Sequence, residues 1–89
     1  MYDIKEYTYE KARELSLDIK PSTRKGKKID VYKDGDYLCS IGDIKYKDYP
    51  TYLIEDGKEE ADHRRVLYHF RHKKDLHYFK GFLSMYLLW

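Results

Sequence analysis

The chain has 89 residues, of which 38% are charged and 42% are hydrophobic, and its formal net charge is +2. This balance excludes a disordered chain, and the length predicts a single domain over residues 1–89. With one cysteine, no disulfide can form within the chain. The most apolar segment, residues 79–89, is too short to span a bilayer, so we expect a soluble protein without a membrane span.

Two features of the composition indicate binding surfaces. Eleven tyrosines suit packed interfaces, although a preference for strands or an A+T-rich coding bias would also explain them. The charge is uneven, because residues 20–33 and 63–80 each carry six bases against one acid, whereas residues 1–19 and 34–62 are acidic. If the fold brings the two basic blocks together, they form one cationic face.

The first predicted element is a helix over residues 9–16. Thr8 would be its N-cap, because a threonine hydroxyl can accept hydrogen bonds from first-turn amides. Its buried face would consist of Tyr9, Ala12 and Leu15. Regular structure is expected to stop at residues 20–23, because Pro21 disfavours the helical conformation in the residue before it.

The clearest local pattern predicts a β-hairpin. Residues 28–33 and 37–41 each alternate between apolar and polar side chains. Asp34 and Gly35 stand between them as a favoured two-residue turn, because glycine adopts positive φ without steric cost. The side chains expected to face the core are Ile29, Val31, Cys39 and Ile41.

Three more helices are predicted. A short one covers residues 48–53, with Asp48 as cap and Pro50 in the first turn. A longer one covers residues 58–74, with acids early and bases late, as the helix dipole favours. The last is amphipathic and begins near residue 79. The expected core-facing side chains are Val66, Leu67 and Phe70 in the longer helix, and Phe79, Phe82, Leu83, Tyr86 and Leu87 in the last.

The predicted fold class is therefore α+β: an N-terminal helix, a β-hairpin, a short helix, a longer helix and an apolar C-terminal helix. No pattern predicts an active site, so we expect a protein that is not an enzyme and that takes no cofactor and no small-molecule substrate. The histidines are interpreted as surface residues, because zinc needs three or four converging ligands and the flanking cations would repel a metal ion. They are His63, His69, His72 and His77.

Two further patterns resemble catalytic sites and are rejected. Asp36, Asp43 and Lys45 match the acids and lysine of metal-dependent nucleases, but a chain this rich in charge produces such matches by chance. Cys39 lies between apolar neighbours on a predicted strand, which favours a buried small hydrophobe over a nucleophile.

Basic side chains are the best candidates for contacts with a polyanion or an acidic partner. Residues 22–28 combine hydroxyls, backbone amides and four cations, a chemistry that suits phosphate oxygens. Solvated surface charge explains the same residues equally well. The candidate polyanion- or partner-binding residues are Arg24, Lys25, Lys27, Lys28, Arg64, Arg65, Arg71, Lys73 and Lys74.

Aromatic and tail residues are the candidates for a protein interface. Tyr32 and Tyr37 lie on or near the hairpin, and could also stack on nucleic-acid bases. The chain ends on apolar Leu88 and Trp89, which should dock on the core of the domain or on a partner, the core being favoured. The candidate interface residues are Tyr32, Tyr37, Tyr86, Leu88 and Trp89.

The order of several short motifs resembles a family of small, uncharacterised basic proteins of large and giant double-stranded DNA viruses. The motifs are residues 21–28 (PSTRKGKK), 40–42 (SIG), 48–53 (DYPTYL), 62–65 (DHRR), Tyr68, 71–74 (RHKK) and 87–89 (LLW). The resemblance covers roughly residues 12–89 and departs at residues 76–79, where related chains are more polar and contain glycine. The family has no catalytic residues to carry over.

The resemblance implies a viral protein located in the virion, and in the host cytoplasm or nucleus during infection. Two roles follow from it. One is a minor capsid or core component that bridges larger viral structural proteins, with contacts to packaged DNA as an addition. The other is a nucleic-acid-binding accessory protein that sets a basic loop and a helix on the phosphate backbone. Alternating acidic and basic blocks favour the first role, because they suit complementary protein contacts.

Overall fold

A computed structural model describes all of residues 1–89, which form two compact units, Met1–Tyr46 and Lys47–Trp89. The first unit contains α1 (Glu6–Glu14), β1 (Asp18–Pro21), β2 (Lys27–Lys33) and β3 (Asp36–Asp43). The second contains α2 (Tyr49–Glu55), α3 (Lys58–His72), a 3₁₀ helix (Lys73–His77) and α4 (Phe79–Leu88). The predicted α+β class is confirmed, whereas a single domain over residues 1–89 stays a prediction. None of the helices combines the length and apolar character needed to cross a membrane.

The predicted hairpin is confirmed as β2 and β3. Asp34 and Gly35 form its turn with φ angles of 50° and 85°, the two positive values that a type I′ turn requires. Ile29 pairs with Ile41 across the hairpin, and both are fully buried, as is Val31. Cys39 is only half-buried, because it lies next to an irregularity of β3.

That irregularity is a β-bulge. Val31 pairs with Cys39 while the next residue, Tyr32, pairs with Tyr37, so Leu38 is an extra residue on β3. In a regular strand, residues three apart lie on opposite faces. The extra residue instead lets the Tyr37 hydroxyl reach the Ser40 hydroxyl, 2.7 Å away.

A strand was not expected where β1 lies. β1 is an edge strand of the antiparallel sheet, whose order is β1–β2–β3, and it ends at Pro21 opposite Ile29. The prediction that regular structure stops at residues 20–23 was therefore wrong for Lys20 and Pro21. Proline lacks an N–H group, but at the end of an edge strand no neighbour needs that donor.

The first helix begins three residues earlier than predicted. Its N-cap is Lys5, which makes no side-chain capping bond, and Thr8 is fully buried inside the helix. Thr8 is therefore not the N-cap. The other buried residue of α1 is Ala12, one turn after Thr8. The predicted face was wrong at Tyr9 and Leu15, which are only half-buried.

The second unit begins with the predicted capped helix. The Asp48 carboxylate accepts a hydrogen bond from the Thr51 N–H at 3.0 Å, and Pro50 lies in the first turn of α2. Asp62 on α3 accepts hydrogen bonds from the Tyr49 hydroxyl (2.8 Å) and the Lys58 ammonium (2.6 Å). These bonds, that from Lys58 first, lower the pKa of Asp62, the carboxylate that links α2 to α3.

The long helix α3 is confirmed, but the prediction of its buried face was wrong. Val66 and Phe70 are 66% and 71% exposed, and Leu67 is exposed as well. The inward side instead carries buried Ala61 with half-buried Arg65, Tyr68 and His72. Arg65 and Tyr68 are amphipathic, so their stems and rings cover apolar surface in place of the aliphatic residues.

The last helix is confirmed, and the chain end packs within the second unit. Leu83, Leu87 and Leu88 are buried, whereas Phe79 and Phe82 are exposed, contrary to the prediction for these two residues. The Trp89 ring stacks on Tyr68 with centroids 4.3 Å apart and planes 7° apart, and it also contacts Tyr52 at 6.2 Å. The tail therefore docks on its own unit.

Candidate polyanion-binding and protein-binding residues

The basic loop between β1 and β2, residues 22–26, is held by hydrogen bonds at both ends. The Ser22 N–H donates to the Lys28 carbonyl at 2.9 Å, and the Lys27 N–H donates to the Arg24 carbonyl at 3.2 Å. The Ile44 N–H, just after β3, donates to the Gly26 carbonyl at 3.0 Å. A loop fixed in this way loses little conformational entropy when it binds a ligand.

A buried carboxylate on β2 anchors the loop. Asp30 is 7% exposed, and one of its oxygens accepts from the Ser22 hydroxyl at 2.6 Å and from the Ser40 hydroxyl at 2.5 Å. The Ser40 hydroxyl bonds in turn to Tyr37, whose hydroxyl accepts from the Arg24 guanidinium at 2.9 Å. This chain of contacts, which we call the Asp30 network, joins the loop to both strands of the hairpin.

The Asp30 network keeps its carboxylate ionised. Burial alone would raise the pKa of Asp30, but the hydrogen bonds from Ser22 and Ser40 lower it, with help from the positive charge of Arg24 and a backbone bond from Thr23. The net result is a pKa below the ordinary value. A fixed negative charge therefore lies behind the loop and offsets part of its positive charge.

The four predicted loop cations are not equivalent. Arg24 and Lys25 are exposed, whereas Lys27 is half-buried. Lys28 is only 4% exposed, and its ammonium lies 5.3 Å from the centroid of the Tyr2 ring. Arg24 and Lys25 are thus the side chains that an anionic ligand would meet first, and Lys28 belongs to the packed sheet.

The helical cations lie in the second unit. Arg64 pairs with Glu60 at 2.7 Å, and the Arg65 guanidinium stacks over the Tyr49 ring at 3.5 Å. Arg71, Lys73 and Lys74 are exposed at the end of α3 and the start of the 3₁₀ helix. Since the loop and α3 belong to different units, their union in one cationic face stays a prediction.

The predicted interface residues also differ in their surroundings. Tyr32 and Tyr37 meet edge to face at 5.8 Å, and the Lys20 ammonium lies 5.3 Å from the Tyr32 centroid. Tyr86 stacks on Phe82 at 5.8 Å. Leu88 is 2% exposed and so is a core residue rather than a surface contact.

Sequence reasoning missed an exposed apolar surface on the second unit. Eight large apolar or aromatic side chains are exposed within its residues 47–89: Ile54, Val66, Leu67, Phe70, Leu76, Tyr78, Phe79 and Phe82. The pattern that could have revealed them was already present. In α3, Val66, Leu67 and Phe70 lie on the side of the helix opposite buried Ala61, so apolar residues occur on both an exposed and a buried side.

Two residues considered for catalysis or metal binding, Asp43 and His72, have structural partners. The Asp43 carboxylate accepts from the Lys45 backbone N–H at 2.9 Å, which closes the turn after β3. The His72 ring lies 2.9 Å from an Asp75 oxygen and stacks on Tyr68 at 4.2 Å. No group of three or more His, Cys, Asp or Glu side chains is arranged to hold a metal ion.

No protein-family model, no curated protein and no solved structure matches the chain.

Proposed function

We propose that this chain is a non-enzymatic structural protein of a large DNA virus particle, a minor capsid or core component that bridges larger viral proteins. The observation that carries the proposal is the exposed apolar surface of the second unit. Eight large apolar side chains of this small unit are exposed, and exposed apolar residues that form a patch mark contacts with other proteins. Such a surface is typical of a protein–protein contact.

The part of this surface that best fits a larger partner lies around the start of α4. We call Leu76, Tyr78, Phe79 and Phe82 the α4 surface. Tyr78 is 70% exposed and Phe79 is 56% exposed. Aromatic residues are enriched where proteins bind one another, because they bury a large area with few rotatable bonds. Burial of a large apolar side chain contributes about 1.5–3 kcal/mol, so this set could anchor a stable contact.

The experiment replaces Phe79 and Phe82 with serine and measures incorporation of the chain into purified virus particles. We expect at least a tenfold loss relative to wild type, since two partly exposed aromatic anchors would be removed. The matched control is Lys80→Ala, an exposed substitution on the same helix, which should incorporate normally. Circular dichroism checks that both variants fold. Normal incorporation of the folded double-serine variant would contradict the proposed surface.

A second candidate function is contact with nucleic acid, and the basic loop favours it. Arg24 and Lys25 are exposed on a loop whose backbone is fixed, next to Tyr32 and Tyr37, whose rings could stack on bases. The ionised Asp30 behind the loop limits its net charge, so the expected affinity is modest.

Fluorescence binding to duplex DNA across a salt series tests this second function. The plot of log affinity against log salt has a negative slope, to which each phosphate contact contributes about −0.9. The Arg24→Ala, Lys25→Ala double variant should therefore make this slope shallower by about 2. The control replaces Lys33 and Lys45, two exposed lysines of the same unit, and should change the slope less. Absence of binding at low salt would exclude the nucleic-acid role.

A further inference from the structure

We propose that α3 is a self-association surface, on which a second copy of this chain packs its own α3 in antiparallel orientation. This inference goes beyond the proposed function and does not depend on it. It concerns Val66, Leu67 and Phe70, which we call the α3 stripe. The α4 surface, which was assigned to a larger partner, is not part of it.

The α3 stripe has the spacing of a helix–helix contact. Val66 and Phe70 are one turn apart and Leu67 lies beside them, so the three share one side of the helix. All three residues are exposed, and they lie on the side of α3 opposite buried Ala61. An aliphatic and aromatic face on a helix of 15 residues, about 22 Å long, fits the apolar face of another helix.

The charges along α3 identify the occupant. Acids lie at its start, at Glu59, Glu60 and Asp62, and bases lie at its end and just beyond, at Arg71, Lys73 and Lys74. A two-fold axis between Val66 and Leu67 therefore sets acids of each copy against bases of the other. The residues of the two copies that lie opposite each other are Glu59 and Lys74, Glu60 and Lys73, and Asp62 and Arg71.

A parallel arrangement would place like charges side by side, so only the antiparallel one is favoured. Glu59 and Lys74 are the pair best placed for a test. Glu59 lies seven residues before Val66 on the same side of α3, and Lys74 lies four residues after Phe70, in the 3₁₀ helix that follows α3. Glu60 and Asp62, in contrast, already pair within α3, with Arg64 at 2.7 Å and with Lys58 at 2.6 Å.

The size of the contact sets the expected strength. One pair of short helices buries less than the roughly 800 Å² per partner of a standard interface. We therefore expect a dissociation constant in the micromolar to sub-millimolar range rather than a permanent dimer. Because the facing charges are solvent-exposed, the association should weaken as the salt concentration rises.

Sedimentation velocity of the full chain over about 5–500 µM measures the association. Wild type should pass from monomer to dimer, and Phe70→Ser should raise the dissociation constant at least tenfold. Because Phe70 is exposed, this variant should still fold. A wild-type chain that stays monomeric over the whole range would overturn the proposal.

Charge reversal tests the antiparallel register. Glu59→Lys alone and Lys74→Glu alone should each weaken self-association about three- to tenfold, because two like-charged pairs form in each dimer. An equimolar mixture of the two variants should associate more tightly than either alone, since both pairs regain opposite charges. The control mixture is Glu10→Lys with Lys45→Glu, which changes the same charges on the first unit and should show no gain. Equal association of the test mixture and its separate components would overturn the assigned register and partner face.

Discussion

Replacement of Asp30 by alanine should destabilise the protein by about 3 kcal/mol. The reason is the pair of short hydrogen bonds that the buried carboxylate accepts from Ser22 and Ser40, at 2.6 and 2.5 Å. A hydrogen bond to a charged group contributes about 1.5–3 kcal/mol, and the lower value for two bonds gives this total. The upper value does not apply, because Ser40 keeps its bond to Tyr37 and Ser22 still accepts from the Arg24 N–H.

Urea unfolding followed by circular dichroism measures this loss. With a slope of about 1–1.5 kcal/mol/M, the unfolding midpoint should fall by about 2–3 M. Asp18→Ala is the control, because Asp18 is an exposed aspartate on the neighbouring strand β1, and it should change stability by less than about 0.5 kcal/mol. If Asp30→Ala costs no more than Asp18→Ala, the Asp30 network does not stabilise the sheet.

The same carboxylate gives a pH dependence whose sign is fixed. The pKa of Asp30 in the folded protein lies below its ordinary value of 3.8, so the ionised form favours folding. Its contribution is fully present above about pH 4 and is lost as the pH falls through the lowered folded pKa. The stability gap between wild type and Asp30→Asn should therefore shrink from neutral pH to about pH 2.5. A gap that is constant or wider at low pH would contradict this reasoning.

Three further substitutions test the second unit by thermal unfolding. Gly81→Ala should destabilise the protein by about 2 kcal/mol, because a Cβ at this position would overlap the Asp75 backbone carbonyl. The control Ser84→Ala, on the same helix, should be nearly neutral. Equal melting temperatures for the two variants would refute the close approach of Gly81 to Asp75. Trp89→Ala should lower the melting temperature by about 8–16 °C, as expected for about 2 kcal/mol, because the stack on Tyr68 is lost. No shift would show that the tail is not docked. Asp48→Ala should cost about 1–2 kcal/mol through loss of the α2 cap, and a cost below about 0.3 kcal/mol would exclude that role.

Local rules were enough where a few adjacent residues decide the structure. The hairpin turn depends on Asp34 and Gly35 alone, and the start of α2 depends on Asp48 and the proline that follows it closely. Strand β1 escaped prediction because it has four residues, one of them Pro21, and shows no extended alternation. Its pairing with β2 is a tertiary contact that no local signal encodes.

The hydrophobicity of its residues did not predict which side of α3 faces the core. Val66, Leu67 and Phe70 outrank Arg65 and Tyr68 on any apolar scale, yet the latter two face inward, where aromatic rings of the same unit meet them. The Asp30 network was equally hidden, because its members come from the loop, from β2 and from β3. A bulge of one residue brings Tyr37 to Ser40, and bulges leave little trace in sequence. The candidate loop was therefore found by its charge, while the contacts that fix it were not.

The most direct test of the proposed function is quantification of this chain by mass spectrometry in gradient-purified particles of the large DNA virus to which the proposal assigns it, after protease treatment has removed surface contaminants. The proposed structural role requires a protected chain at a constant ratio to the major capsid protein across independent preparations. A chain that is abundant in infected cells but absent from protease-treated particles would contradict that role.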